Sequence, residues 1–202
     1  MVRVTDKKEK YQHVEELSPT VWHIRWDYED YKEPVVDPET GEPTGEYSDT
    51  DLGTWMEEMI HGELTVDRVK QVRCDELAMY DASPAVNEII YDGQSMWFDK
   101  VTRTCITYSM NTEKAAGAST TTLYDNDGNA YVLPIDTAIQ LFGMIELYAK
   151  KCYNTTAQHH ANIMDLETID EVLDYNFKTG YPPKINIDPN QPFNAGEEST
   201  EE

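Results

Sequence analysis

Apolar residues recur at three- and four-residue steps between Pro134 and Leu166, at Ala138, Phe142, Ile145, Ala149 and Cys152. That period is one face of an α-helix. It predicts a long helix starting near Asp136, which can cap it, with a break or bend at Asn154-Thr155-Thr156, where short polar side chains compete for the backbone. A second helix is expected over Thr65–Tyr80 with Val66, Val69, Val72 and Leu77 inward. A third is expected from Asp99 to Ala116 with Val101, Cys105, Tyr108 and Thr112 on its inner side and Gly117 as its stop. A short helical piece, Thr54–His61, ends at Gly62. Thr168-Ile169-Asp170-Glu171 has the form of a capping box and starts a last helix that turns Ile169, Val172 and Leu173 inward.

The other period in the chain is two. From Trp22 to Tyr28, Trp22, Ile24, Trp26 and Tyr28 alternate with His23, Arg25 and Asp27, as in a half-buried strand. Core packing is the favoured role of the two tryptophans, and an exposed aromatic patch is the alternative. Glu33–Gly45 holds three prolines and two glycines, which exclude a continuous helix or a central strand and leave a long exposed hairpin loop. Asp92-Gly93, between Glu88–Tyr91 and Gln94–Phe98, predicts a hairpin with a type I′ turn. A second hairpin joins Thr120–Tyr124 to Ala130–Ile135 around Asp127-Gly128. Residues 1–10 read as a mobile lead-in, Lys184–Ile187 as a short strand, and the acidic stretch from Asp188 as a disordered tail.

Composition narrows the function classes. Acidic side chains outnumber basic ones 39 to 16, and a net charge of −23 repels nucleic-acid phosphate and anionic lipid. Asp27–Glu58 alone holds twelve acidic residues against Lys32. No run approaches the roughly 18 apolar residues of a spanning helix, and no apolar signal region opens the chain, so a soluble protein without membrane insertion is expected. Three widely spaced cysteines suit reduced thiols rather than a disulfide framework.

No catalytic motif emerges. Adjacent His159 and His160 point about 100° apart on a helix and make a poor metal pair. Cys152 and His159 lie two turns apart, about 10 Å along the axis, beyond the reach of a nucleophile–base hydrogen bond. Asp49-Thr50-Asp51-Leu52-Gly53 lacks the remaining ligands of a calcium loop. No phosphate loop, dinucleotide fingerprint or hydrolase elbow is present. The expectation is therefore a non-enzymatic protein with no cofactor and no metal.

The order Ile90-Tyr91-Asp92-Gly93, Met96-Trp97-Phe98-Asp99, Thr102-Arg103, Gly117–Leu123, Ile145-Glu146-Leu147-Tyr148-Ala149, Cys152-Tyr153, His160, Leu166-Glu167-Thr168-Ile169 and Gly180-Tyr181-Pro182 resembles an uncharacterised domain of tailed bacteriophages and prophages. That domain occurs in proteins encoded near tail-fibre and fibre-assembly genes. The likeness spans Glu88–Pro183. Leu17–Ile24 and Thr50–Met56 resemble leaders of phage-type proteins from gut Bacteroidales. The resemblance implies a fold unit and a genetic neighbourhood, and no catalytic residues.

Together these readings predict an α+β protein in which short antiparallel hairpins pack on helices in two small contacting units. The divisions are 1–83, an aromatic-strand and helix region; 84–187, a hairpin-helix-hairpin-helix-helix domain; and 188–202, an acidic tail. The expected function is a phage or prophage structural or assembly protein that binds tail or fibre components, in the bacterial host cytoplasm during assembly or in the virion. A homo-oligomer is an allowed form. Candidate partner contacts are Trp22, Trp26, Tyr28, Asp37, Glu39 and Glu42. The alternatives are a carbohydrate- or other ligand-binding module and an uncharacterised hydrolase.

Overall fold

A computed structural model describes residues 1–97, 99–125 and 127–188; of Trp97 it describes the backbone alone. Helices and antiparallel sheets are both present, and the fold is α+β. Two units form: Met1–Asp75 with His160–Asn176, and Glu76–His159 with the described residues from Phe177 to Asp188. The sequence placed the division at 83/84. Each observed unit instead draws on two stretches of chain, because helices α1 (Val66–Asp81) and α4 (Ile135–Asp165) each pass from one unit into the other. Of the expected acidic tail, all but Asp188 lies outside the described residues.

The first unit is a four-stranded antiparallel sheet in the order β1-β4-β3-β2, from β1 (Val2–Lys7), β2 (Val14–Ser18), β3 (Val21–Val36) and β4 (Pro43–His61). The expected mobile lead-in is thus an edge strand, with Val2 opposite Glu57 and Lys7 opposite Leu52, followed by a 3₁₀ turn at Lys8–Lys10. Thr54–His61, expected as a helix, is the inner end of β4. Its Trp55 is buried on one face of the sheet and Ile60 on the other, so burial on both faces removed the alternation that marks a strand. Trp26 is fully buried, with the Arg73 guanidinium 5.3 Å from its ring centroid. Arg73 also donates to the Tyr175 carbonyl at 2.6 Å, and Lys70 to the Met164 carbonyl at 2.7 Å, which ties α1 to the 160–176 stretch. Helix α5 (Ile169–Asp174) starts at the predicted capping box: Thr168 accepts from the Glu171 N–H, and the Glu171 carboxylate accepts from the Thr168 N–H.

In the second unit, β5 (Glu88–Tyr91) and β6 (Gln94–Trp97) form the predicted hairpin, with Asp92 at φ 52° and Gly93 at φ 74°, the left-handed pair a type I′ turn requires. Phe98 lies outside the described residues. A two-residue strand, β9 (Asn186–Ile187), adds to β5 in parallel. Helix α2 (Pro84–Asn87) precedes this sheet, and the hairpin β7 (Thr120–Tyr124) and β8 (Ala130–Pro134) stands apart as a two-stranded sheet. Asp125 organises its turn: one carboxylate oxygen accepts from the Asp127 and Asn129 N–H groups, the other from the Asn129 amide and the Tyr131 hydroxyl. Ile89, Met96, Leu141, Phe142 and Ile145 are buried in the core, each stabilising the unit by about 1.5–3 kcal/mol.

Two helical expectations are corrected. The long helix α4 runs unbroken through Asn154-Thr155-Thr156; Thr155 donates to the Lys151 carbonyl within the helix and Thr156 to the Asp81 carboxylate, so neither hydroxyl competes for a backbone amide. Helix α3 (Lys100–Ala115), capped by Asp99, buries Arg103 and Met110 and packs Ile106 inward. Val101, Cys105, Tyr108 and Thr112, expected inside, are exposed.

Candidate interaction surfaces

Past the sheet the hairpin of β3 and β4 continues alone. β2 pairs with β3 no further than Ile24, and β1 with β4 no further than Leu52, so Tyr31–Val36 and Pro43–Asp51 form a two-stranded arm about 20 Å long. The expected loop Glu33–Gly45 is therefore mostly strand, reversing over residues 37–42. Its prolines are tolerated because both edges of the arm are free. Hydroxyls of Thr44, Ser48 and Thr50 donate to the Val35, Glu33 and Tyr31 carbonyls, which holds the strands together across two register shifts. Asp37 organises the tip: its carboxylate accepts from the Glu39 and Thr40 N–H groups, and its carbonyl from Gly41, at φ 74°.

The acids of this hairpin fall into two groups. At the root, Glu29 pairs with Arg3, and Asp30 with Lys8, whose ammonium holds that carboxyl below the usual carboxylate value. Out on the arm Lys32 meets Asp49. Among the described residues Glu33, Glu39, Glu42, Glu46 and Asp51 make no ion pair, and Tyr47 between them is 67% exposed. The result is a projecting ribbon of uncompensated negative charge with an aromatic ring.

Of the residues singled out from sequence, Asp37, Glu39 and Glu42 gather at the arm tip, with Asp37 committed to the turn. The three aromatics lie on the inner part of β3. Trp26 is fully buried, which removes it from any contact surface. Trp22 is half-buried and donates to the Gly62 carbonyl at 3.2 Å. Tyr28 is partly open, packed on Tyr11 and stacked over Trp55. Trp55 is buried as well.

The second surface lies in the other unit, where α3 and α4 flank a groove of about 970 Å³. An ion pair from Arg103 Nε to Glu146 Oε1, at 2.7 Å, crosses it, and Val101, Tyr108 and Tyr153 line it. Burial raises the Cys152 thiol and the Tyr148 hydroxyl above their ordinary values, so the thiol stays protonated and is a poor nucleophile. His159 does not line the groove; its Nε2 donates to the Thr179 carbonyl at 2.8 Å. No group of three or more His, Cys, Asp or Glu side chains is placed to hold a metal among the described residues, and no described helix is long and apolar enough to cross a membrane.

The exposed face of α3 is the feature that sequence reasoning missed. One available signal was that Arg103, Glu113 and Lys114 are the only charged residues between Val101 and Tyr124. No protein-family model, curated protein or solved structure matches the chain.

Proposed function

We propose that this chain is a non-enzymatic interaction protein whose acidic arm binds a basic surface on another protein, and that its partners are tail or fibre components of a tailed phage. The observation that carries the reading is the arm itself, where, among the described residues, Glu33, Glu39, Glu42, Glu46 and Asp51 stand without ion pairs on a ribbon open on both edges and both faces. Such a surface steers an oppositely charged partner and repels like-charged ones. The resemblance of Glu88–Pro183 to a domain of phage proteins supplies the setting.

The test is capture of tail and fibre proteins from a phage-producing lysate on the immobilised chain, beside a variant carrying Glu33, Glu39, Glu42 and Glu46 as Gln. The wild type retains basic phage proteins at low salt and releases them as salt rises, because the screening length falls from about 10 Å at 0.1 M to about 3 Å at 1 M. Equal capture by the two proteins overturns the assignment to the arm. Quantitative mass spectrometry of gradient-purified particles against the parent lysate then separates the two roles: a fixed copy number marks a virion adaptor, and absence from particles with abundance in the lysate marks an assembly factor.

A further inference from the structure

The two edges of the arm differ. β1 occupies the outer edge of β4 only as far as Leu52, which stands opposite Lys7. There the 3₁₀ turn Lys8–Lys10 carries the chain off the edge and over the sheet, where Lys8 reaches Asp30 and Tyr11 packs on Tyr28 and Trp55. From Asp51 back to Pro43, β4 remains a strand with no strand beside it on that edge among the described residues, and every residue but the half-buried Thr50 is exposed. The open length Thr44–Asp51 is about 26 Å at about 3.3 Å per residue. Such an edge presents unpaired N–H and C=O groups on which another strand can form.

The β3 edge is less suited, because Pro34 stands in mid-arm with no N–H to give. On β4 the Glu46 N–H turns to the Thr44 hydroxyl, and beyond it Tyr47–Asp49 pair with Lys32–Pro34 in regular register, between the two register shifts. The centre of the open β4 edge is therefore straight ladder.

We infer that the arm's partner adds a strand to this edge: an extended segment with lysine or arginine at alternate positions pairs with β4 along Thr44–Asp51, in the place that β1 gives up at Lys7. The inference rests on the reading of the arm as a binding surface and specifies how that surface binds. Charge selects the occupant. Glu46 and Asp51 on β4, and Glu33 behind them on β3, make no ion pair among the described residues. Opposite charges across a ladder stabilise it and like charges weaken it. A second copy, carrying −23, sets its own acids against these, so the charged edge excludes self-pairing. A basic segment meets carboxylates instead, and an apolar side chain between its cations meets the exposed ring of Tyr47. Main-chain hydrogen bonds hold the segment, and the acids decide which segments enter.

Two acetylated peptides of about ten residues, long enough to span the open edge, test this on the full chain. One alternates lysine with valine and threonine. The other has the same sequence with its backbone amides N-methylated, which removes every ladder donor and leaves the charge unchanged. Fluorescence anisotropy should show the first peptide binding at least about tenfold more tightly than the second. Hydrogen exchange followed by NMR should slow within Thr44–Asp51 on addition of the first peptide and not of the second. Equal affinity for the two peptides, or slowing confined to β3, overturns strand addition and leaves the electrostatic reading of the arm standing. Binding of neither peptide overturns both.

Discussion

Arg25 is buried in the sheet from which the arm projects, and replacing it tests how that sheet is held. Its side chain is 8% exposed, with Nε 2.6 Å from Glu57 and Nη2 2.5 Å from Glu15. Burial opposes its charge, and the two carboxylates outweigh that and hold the guanidinium above its ordinary value. Arg25→Met keeps much of the apolar stem and removes the charge, leaving two carboxylates without their cation. Breaking a buried pair on one side costs about 3–5 kcal/mol. Glu15 is 39% exposed and regains water, and Glu57, 17% exposed, keeps His23 Nδ1 at 3.5 Å, so the expected loss is about 2–3 kcal/mol. Urea unfolding at pH 7 should then show the midpoint falling by about 1–1.5 M at an unchanged slope of about 2 kcal/mol/M. In a cycle with Glu57→Gln the coupling should be about 1–2 kcal/mol. A loss below about 0.5 kcal/mol refutes the reasoning.

Gly53→Ala places a Cβ 2.5 Å from Tyr28 Cε2, forcing the ring off Tyr11 and Trp55; thermal unfolding should show a loss of about 1–2 kcal/mol that disappears in a Tyr28→Ala background. At Asp125 burial pushes the carboxyl up, and hydrogen bonds from Asn129, Tyr131 and the Asp127 N–H outweigh it and hold the group below its ordinary value. Its stabilisation is therefore present above about pH 4 and lost as pH falls through the depressed value, and the stability gap between wild type and Asp125→Asn should close over that window. Phe142→Ala should cost about 3–5 kcal/mol in chemical denaturation, whereas Tyr108→Ala should stay within about 0.5 kcal/mol.

Local chemistry was legible in the sequence where one short segment decides its own conformation. Asp92-Gly93 turns as its positive φ angles demand, and the Thr168 box caps α5 through atoms three residues apart. Strands that depend on distant partners were not legible. Val2–Lys7 becomes a strand because β4, some fifty residues away, offers it an edge. Thr54–His61 mimics helical spacing because its two faces are both covered. Helix α3 has two stripes of comparable period, Val101-Cys105-Tyr108-Thr112 and Arg103-Ile106-Met110. Apolarity favours the first, yet the second is buried because Glu146, 43 residues on, neutralises Arg103. On the arm, proline and glycine pointed to a loop, and the strand survives them because neither edge has a neighbour to satisfy. The aromatic strand was legible as a core element, while the arm's projection depends on where β1 and β2 stop.

The most direct test of the central claim is a photocrosslinking residue in place of Tyr47, in mid-arm, activated in phage-producing cells and analysed by mass spectrometry. The account predicts a crosslink to a basic tail or fibre protein that is lost when Glu33, Glu39, Glu42 and Glu46 are replaced by Gln. A crosslink pattern unchanged by that replacement, or no crosslink from Tyr47 while the same residue at Tyr108 captures phage proteins, would contradict it.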